Sequence, residues 1–272
     1  MTLIADACPL LMLGAGHMGG ALIAGWRGAG VVAPSAIFIR DPHPGAAATS
    51  AAASGARLNP ADGDLAGART VILALKPQVW RDIAAEISAK VEADAVVISI
   101  MAGVKAADIA RVFPGRPIVR AMPNTAAAAG KGATGIWSAD DDARARAHAL
   151  FSPLGAVADL AEESLIHAVT AVSGSGPAYV YALVEALAYA GASAGLAPEA
   201  ARSLSRATLI GAAALLEASG EEARELRRQV TSPKGTTEAA LEVLIGAGAL
   251  NDLVERAVLA AQARSRQLGG EA

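Results

Sequence analysis

Leu10–Ala21 reads LLMLGAGHMGGA, and this stretch decides the fold. The apolar run Leu10–Leu13 stops at Gly14, Gly16 and Gly19 follow, and an apolar helical pattern continues from there. A strand, a glycine loop and a helix in that order place a pyrophosphate on the helix N-terminus. Gly14 permits the tight turn. Gly16 lets backbone approach the phosphates with no Cβ in the way, and Gly19 lets the helix pack close to the strand. The first free N–H groups of the helix, at its positive dipole end, supply the anion site. A plain glycine-rich strand–helix turn carries the same letters, so the stretch alone leaves both readings open.

Outward from the loop, strands and helices alternate. Ala36–Arg40 predicts a short second strand that Pro42 stops. Asp41 lies 25 residues beyond Gly16, where such folds read the adenosine ribose. A carboxylate there would accept from a ribose 2′-OH and favour NAD, whereas Arg40 would attract a 2′-phosphate and favour NADP. The neighbours pull opposite ways, and a solvated strand end explains both equally well. Ala46–Ser54 is helical, and Thr70–Leu75 and Ala95–Ile100 are continuous apolar runs of the kind buried in a parallel sheet. A helix separates them, running to about Lys90. Further strands are read at Pro117–Arg120, Ala133–Ser138 and Pro153–Leu160, with a helix over Asp140–Phe151. The pattern predicts a doubly wound α/β sheet. Ligands of such sheets sit beyond the carboxyl ends of the strands. Gly14, Lys76, Ser99, Ala102, Pro123, Asn124 and Thr125 all fall there.

From Glu162 strand signals disappear. Helical segments run over about Ser164–Val172, Pro177–Ala194, Pro198–Ser219, Glu222–Val230, Thr236–Leu244 and Leu250–Leu268. The expected domains are 1–161, a dinucleotide-binding sheet domain, and 162–272, an all-α domain. Pro177–Ala194 and Pro198–Ser219 are apolar around much of their circumference, and about a hundred residues would struggle to bury them alone. An intertwined subunit interface is the reading.

Composition narrows the class. Hydrophobic residues make up 53% of the 272, the excess being mostly alanine, with no run long enough for a membrane span. Met1–Cys8 has no basic n-region, so a secretory signal is not expected. The single cysteine, Cys8, allows no intramolecular disulfide and fits a cytoplasmic protein. A net charge of −3 and 3% aromatics argue against nucleic acid as a partner. His17, His43, His148 and His167 lack ligand spacing and read as surface or structural groups, with no metal.

Two loops of the helical region carry candidate chemistry. Val172–Tyr179, VSGSGPAY, is read as a break between helices, with Pro177 in a first turn and Ser175 or Gly176 as cap. Its glycines suit backbone close to a ligand, and a capped kink explains them as well. Val230–Leu241, VTSPKGTTEAAL, places a turn at Pro233–Gly235 before a helix opened by Thr236 and Thr237, with Glu238 in its first turn. Free N–H groups at 235–237 make a second anion nest able to take a small carboxylate. A capped helix start is the plainer reading.

With these loops in view, the chain resembles the pyrroline-5-carboxylate reductase family over Leu10–Leu268. Five motifs in order carry the resemblance: LGAGHMGGAL, ALKPQ, RAMPNT, TAVSGSGPAYV and VTSPKGTTEAAL, the last two being the most specific. The resemblance implies an N-terminal Rossmann domain and a C-terminal helical dimerisation domain of interlocking helices. It implies a homodimer, commonly built further into a decamer of five dimers. It also implies reduction of a cyclic imino acid, 1-pyrroline-5-carboxylate, to L-proline, the last step of proline synthesis. NADPH is the implied cofactor and NADH the alternative. By resemblance the cofactor contacts map onto Gly14, Ala15, Gly16, His17, Met18, Arg40, Lys76, Pro77, Met122, Asn124 and Thr125. The substrate carboxylate maps onto backbone of Gly235, Thr236 and Thr237. Thr237 would hydrogen-bond the ring nitrogen, as the catalytic group, and Ser175 would lie beside that pocket.

The chain departs from the family pattern at two places. Lys234 stands where the family has a second glycine, and Ala61 stands where it often has an adenosine-contacting Asn, with Asn59 nearby. A related dehydrogenase of small hydroxy or imino acids is the alternative enzyme. Lys234, the only lysine of 162–272, would be its catalytic group. A non-catalytic NADP-binding sensor is the alternative outside enzymes, disfavoured by intact loops at both sites.

Overall fold

The computed structural model describes residues 4–270. The first three residues of the N-terminal stretch 1–8 therefore lie outside the described residues. Eight strands form one sheet in the order β3-β2-β1-β4-β5-β6-β7-β8. They are β1 Leu10–Leu13, β2 Ile37–Arg40, β3 Arg57–Leu58, β4 Thr70–Leu73, β5 Val96–Ser99, β6 Ile118–Met122, β7 Gly132–Ser138 and β8 Gly155–Asp159. All neighbours are parallel except β6 and β7, which run antiparallel. Only Pro123–Lys131 joins those two, too short for a crossover of a dozen or more residues, so the chain turns back on itself. The two-residue β3 has no counterpart in the sequence reading, being too short to carry a periodic signal.

Alternation along each strand feeds two cores. Leu10, Met12, Ile37, Ile39, Ile72, Ile98 and Val119 point to one face, with Leu22, Ile23, Trp26 and Phe151. Leu11, Leu13, Phe38, Val71, Leu73 and Val97 point to the other, with Trp80, Ile87, Ile109 and Phe113. The helices α1 Ile4–Ala7, α2 His17–Ala29, α3 Ala46–Ala53, α4 Trp80–Ser88, α5 Ala106–Val112 and α6 Asp141–Phe151 supply the covering layers. Burial on both faces explains why the strands read as unbroken apolar runs. Trp26 donates Nε1–H to the Leu150 carbonyl at 2.7 Å and so satisfies its one polar group inside the core.

The remaining helices are α7 Ile166–Val169, α8 Gly176–Ser193, α9 Pro198–Ser219, α10 Ala223–Gln229, α11 Thr236–Ile245 and α12 Ala249–Leu268. By packing, one compact unit comprises the described residues through Pro177 and from Ala260 on, and the other is Ala178–Leu259. This division differs from the change in secondary structure near Asp159–Glu163, because α7 and the end of α12 pack with the sheet. Buried His167 Nδ1 lies 2.9 Å from buried Ser265 Oγ. A Cβ on Gly103 (φ +76) would come within 2.7 Å of the Gly269 nitrogen.

The second unit is made of helices whose apolar side chains are widely exposed. Tyr181, Tyr189, Leu204, Ile210, Leu215 and Val243 are each more than half exposed. α8 and α9 meet closely where a Cβ on Gly191 would lie 3.3 Å from Ala201 Cβ.

Candidate active site

The glycine loop has the three separate constraints its sequence suggests. Gly14 has φ +89, and a Cβ on it would lie 2.6 Å from the Ala74 carbonyl oxygen. A Cβ on Gly19 would lie 2.4 Å from the Gly14 carbonyl oxygen and 3.3 Å from Ala74 Cβ. Both positions exclude side chains by backbone contact. Gly16 is different: nothing lies within 4 Å of its Cβ position, and its φ of −65° suits any residue. Gly16 faces open space at the N-cap of α2, with no side chain capping the helix. The first-turn N–H groups of α2 are thus left for an anion. These features fit a dinucleotide pyrophosphate.

The loop borders a cleft of 730 Å³ lined by Gly14, Gly16, Arg40, Asp41, Asn59 and Lys76, among others. The side walls come from strand ends, as the parallel sheet requires. Lys76 is exposed, and the Val79 N–H donates to its carbonyl at 3.1 Å, so Lys76 and Pro77 lie in a turn after β4. Of the other glycine-loop residues, Ala15 is buried, Met18 packs on the core and His17 is exposed.

Asp41, which the sequence reading weighed as a ribose ligand, is tied to protein. Its Oδ2 accepts from the Ala15 N–H at 2.6 Å and its Oδ1 from the His43 N–H at 2.8 Å. Asn59 grips the Asp41 backbone from both sides: Oδ1 accepts from Asp41 N–H at 3.0 Å and Nδ2 donates to Asp41 O at 2.9 Å. Asn59 itself has φ +48, a left-handed conformation that Asn tolerates better than most residues. The sequence held that signal, an Asn-Pro pair after an alanine-rich helix, but not the partner. Arg40 is paired with Asp62 rather than free, and its buried Nε has no hydrogen-bond partner.

At the end of β6, Met122 and Asn124 are buried and Thr125 is exposed. Both ends of the Asn124 side-chain amide are bonded within the fold. Its Oδ1 accepts from Ala126 and Ala133 N–H at 3.2 and 3.3 Å, and its Nδ2 donates to the Ser173 carbonyl at 3.0 Å. Asn124 thereby ties the RAMPNT loop to the first glycine-serine loop. That second loop is the break the sequence suggested: one helical run ends at Gly174, Ser175 is a bend, and α8 starts at Gly176 with Pro177 in its first turn. The run before it is longer than the sequence suggested: Thr170–Gly174 form a π-helical turn that directly continues α7, and the Ser175 N–H donates to the Thr170 carbonyl at 2.8 Å. A π-turn of this kind is common at functional sites.

In the second unit, Gly235 is the N-cap of α11 with φ −88 and no side-chain capping bond. A Cβ on it would lie 2.5 Å from Ser232 Oγ. Thr236 and Thr237 are the first two helical residues, Thr237 half-buried and Thr236 exposed. Glu238 turns back and accepts the Lys234 N–H at 2.6 Å. Lys234 has φ +58, the conformation the family's glycine would adopt freely. Among the described residues no group of three or more His, Cys, Asp and Glu could hold a metal ion, and no helix is long and apolar enough to cross a membrane.

The comparisons with known proteins agree across the whole chain. A family model described as pyrroline-5-carboxylate reductase dimerisation matches residues 163–268, and one described as NADP oxidoreductase coenzyme F420-dependent matches residues 10–103. A pyrroline-5-carboxylate reductase of Pseudomonas aeruginosa is 38% identical over 266 residues, covering 95% of this chain and 96% of that one. One from Synechocystis is 38% identical over 262 residues, covering 95% and 97%. A solved pyrroline-5-carboxylate reductase from Coxiella burnetii matches with a TM-score of 0.86 at 30% identity, over 96% of this chain and 98% of that one. The enzyme from Plasmodium falciparum, with NADP bound, matches with a TM-score of 0.80 at 26% identity, over 96% and 97%.

Proposed function

The chain belongs to the pyrroline-5-carboxylate reductase family, and on that premise we propose that it reduces 1-pyrroline-5-carboxylate to L-proline with NADPH, the last step of proline synthesis. NADH is the alternative donor. The observation that carries the cofactor half is the open Gly16 beside an uncapped helix start, between two glycines that admit no side chain.

When bound, the nicotinamide supplies a hydride to the imine carbon. The imine π electrons go to nitrogen, and the proton already on the iminium nitrogen remains there, giving the secondary amine. A protonated imine is electrophilic, so the protein's task is orientation rather than acid strength. We assign the substrate carboxylate to the backbone N–H groups of Gly235, Thr236 and Thr237, which lie at an uncapped helix start. Thr237 orients the ring nitrogen through its hydroxyl, and Ser175 is assigned to substrate binding by its motif. Gly14, Ala15, Gly16, His17 and Met18 hold the pyrophosphate, with Arg40 toward the adenosine ribose. Lys76, Pro77, Met122, Asn124 and Thr125 complete the cofactor side. Asn124 acts there through its backbone, its amide being occupied by the fold.

The dimerisation model over 163–268 and the exposed apolar helices support a homodimer whose subunits interlock through residues 162–272, with 1–161 as the nucleotide domain. A decamer of five such dimers and a cytoplasmic location complete the proposal. The test follows NADPH and NADH oxidation with pyrroline-5-carboxylate beside a panel of 3-hydroxy and imino acids. Turnover confined to the panel would replace the substrate assignment, and dinucleotide binding with no turnover would support a sensor.

A further inference from the structure

Three elements meet at the edge of the cofactor cleft. β2 ends in Arg40, the short turn after β3 begins with Asp62, and Lys90 follows α4. One Asp62 oxygen pairs with Arg40 Nη2, and the other lies 2.8 Å from Lys90 Nζ. Lys90 Nζ is also 2.8 Å from Glu86, whose side chain lines the cleft. A guanidinium and an ammonium thus converge on one carboxylate, each taking a different oxygen. Lys90 first and Arg40 next hold the Asp62 carboxyl below its ordinary value, so the seat is built for an anion. The Arg40 side chain is 26% exposed and that of Lys90 24%, while that of Asp62 is 55% exposed and lies on a short 3₁₀ turn. The cations are the better-anchored members and the carboxylate the more solvated one. The buried Arg40 Nε has no partner, a donor that this carboxylate does not reach.

Resting on the cofactor reading above, we propose that Asp62 is a built-in stand-in for the 2′-phosphate of NADP and sets the cofactor preference of the enzyme. Arg40 and Lys90 form a seat matched to a phosphomonoester, which presents more oxygens than a carboxylate and a second negative charge. NADP takes the seat only by displacing Asp62, and the loss of two ion pairs offsets part of the gain. NAD brings no phosphate, leaves the pairs intact and binds without that cost. Asp62 therefore narrows the gap between the two cofactors that Arg40 alone would open. The contest involves groups outside the glycine loop, so it acts on discrimination rather than on pyrophosphate binding.

The test is calorimetric binding of NADP⁺ and NAD⁺ to the full-length protein and to Asp62→Asn. The expected result is a rise of about fivefold or more in the ratio of the NAD⁺ to the NADP⁺ dissociation constant, the scale of two exposed ion pairs. Asp62→Ala, carried in parallel, should move the ratio the same way. A ratio unchanged within about twofold, or one that falls, with both dinucleotides still bound, overturns the proposal alone. Absence of binding by either dinucleotide to the wild-type protein overturns it together with the cofactor reading.

Discussion

The Asp41 carboxylate holds the Ala15 backbone N–H at 2.6 Å, joining the end of β2 to the glycine loop across 26 residues. The same carboxylate closes the turn onto His43. It therefore fixes the loop's conformation from behind, before any ligand arrives.

Replacing Asp41 with Ala leaves two backbone donors without their acceptor. Hydrogen bonds to a charged group contribute about 1.5–3 kcal/mol, so NADP⁺ and NAD⁺ should both bind about tenfold or more weakly. Asp41→Asn, which keeps one acceptor oxygen, should lose less. Calorimetric titration of both dinucleotides measures this, and equal affinities for wild type and Asp41→Ala would show that the bond does not order the loop.

The three glycines of the loop should separate stability from binding. Gly19→Ala drives a Cβ against a backbone oxygen and should cost about 3 kcal/mol or more, since neither partner is the flexible end of a side chain. Gly16→Ala meets nothing and should leave the denaturation midpoint nearly unchanged, while its methyl blocks the approach of phosphate. Chemical denaturation beside dinucleotide titration distinguishes the two variants.

Lys234 should carry a conformational penalty. A side chain at φ +58 costs about 1 kcal/mol relative to glycine, and the Glu238 contact is to the backbone N–H, which glycine retains. Lys234→Gly should therefore raise stability by about that amount at fixed protein concentration, a condition needed because dimerisation contributes to the midpoint. A destabilised variant would mean that the ammonium group has a compensating partner.

Thr237→Ala should lower kcat/KM about tenfold or more while leaving the NADPH dissociation constant as it was, the signature of a lost substrate interaction. Thr237→Ser should recover much of the rate. Unchanged kcat/KM in the alanine variant removes Thr237 from its assigned role.

Ser265→Ala tests the return of α12 to the sheet. Removing the hydroxyl takes away a hydrogen bond between two buried groups and should cost about 1–3 kcal/mol by chemical denaturation.

Features that depend on nearby residues were legible in the sequence. Gly14, Gly16 and Gly19 could be assigned separate tasks because a turn, an open approach and a close helix contact are each written into a span of six residues. Helix α9 was legible to the residue, Pro198–Ser219, from apolar spacing. The network of Asp41, Asn59 and Asp62 was not, because it depends on which loops the parallel sheet brings to the end of β2. Arg40 could be read as a cation at the right strand end, yet its pairing with Asp62 crosses 22 residues and a strand too short to predict. The break at Ser175 was legible because glycine and proline mark it, with Pro177 in the first turn of α8. The π-turn at Thr170–Gly174 before it was not, since no local spacing announces a widened turn.

The return of α12 also sets the order in which the molecule can be completed. All eight strands have been synthesised once Asp159 is made, yet the groups that meet Gly103 and His167 come more than a hundred residues later. The nucleotide unit begins first and is finished after the helical unit has been translated. A chain halted between the two has every strand of the sheet but lacks the contacts that Gly103 and His167 make with the end of α12.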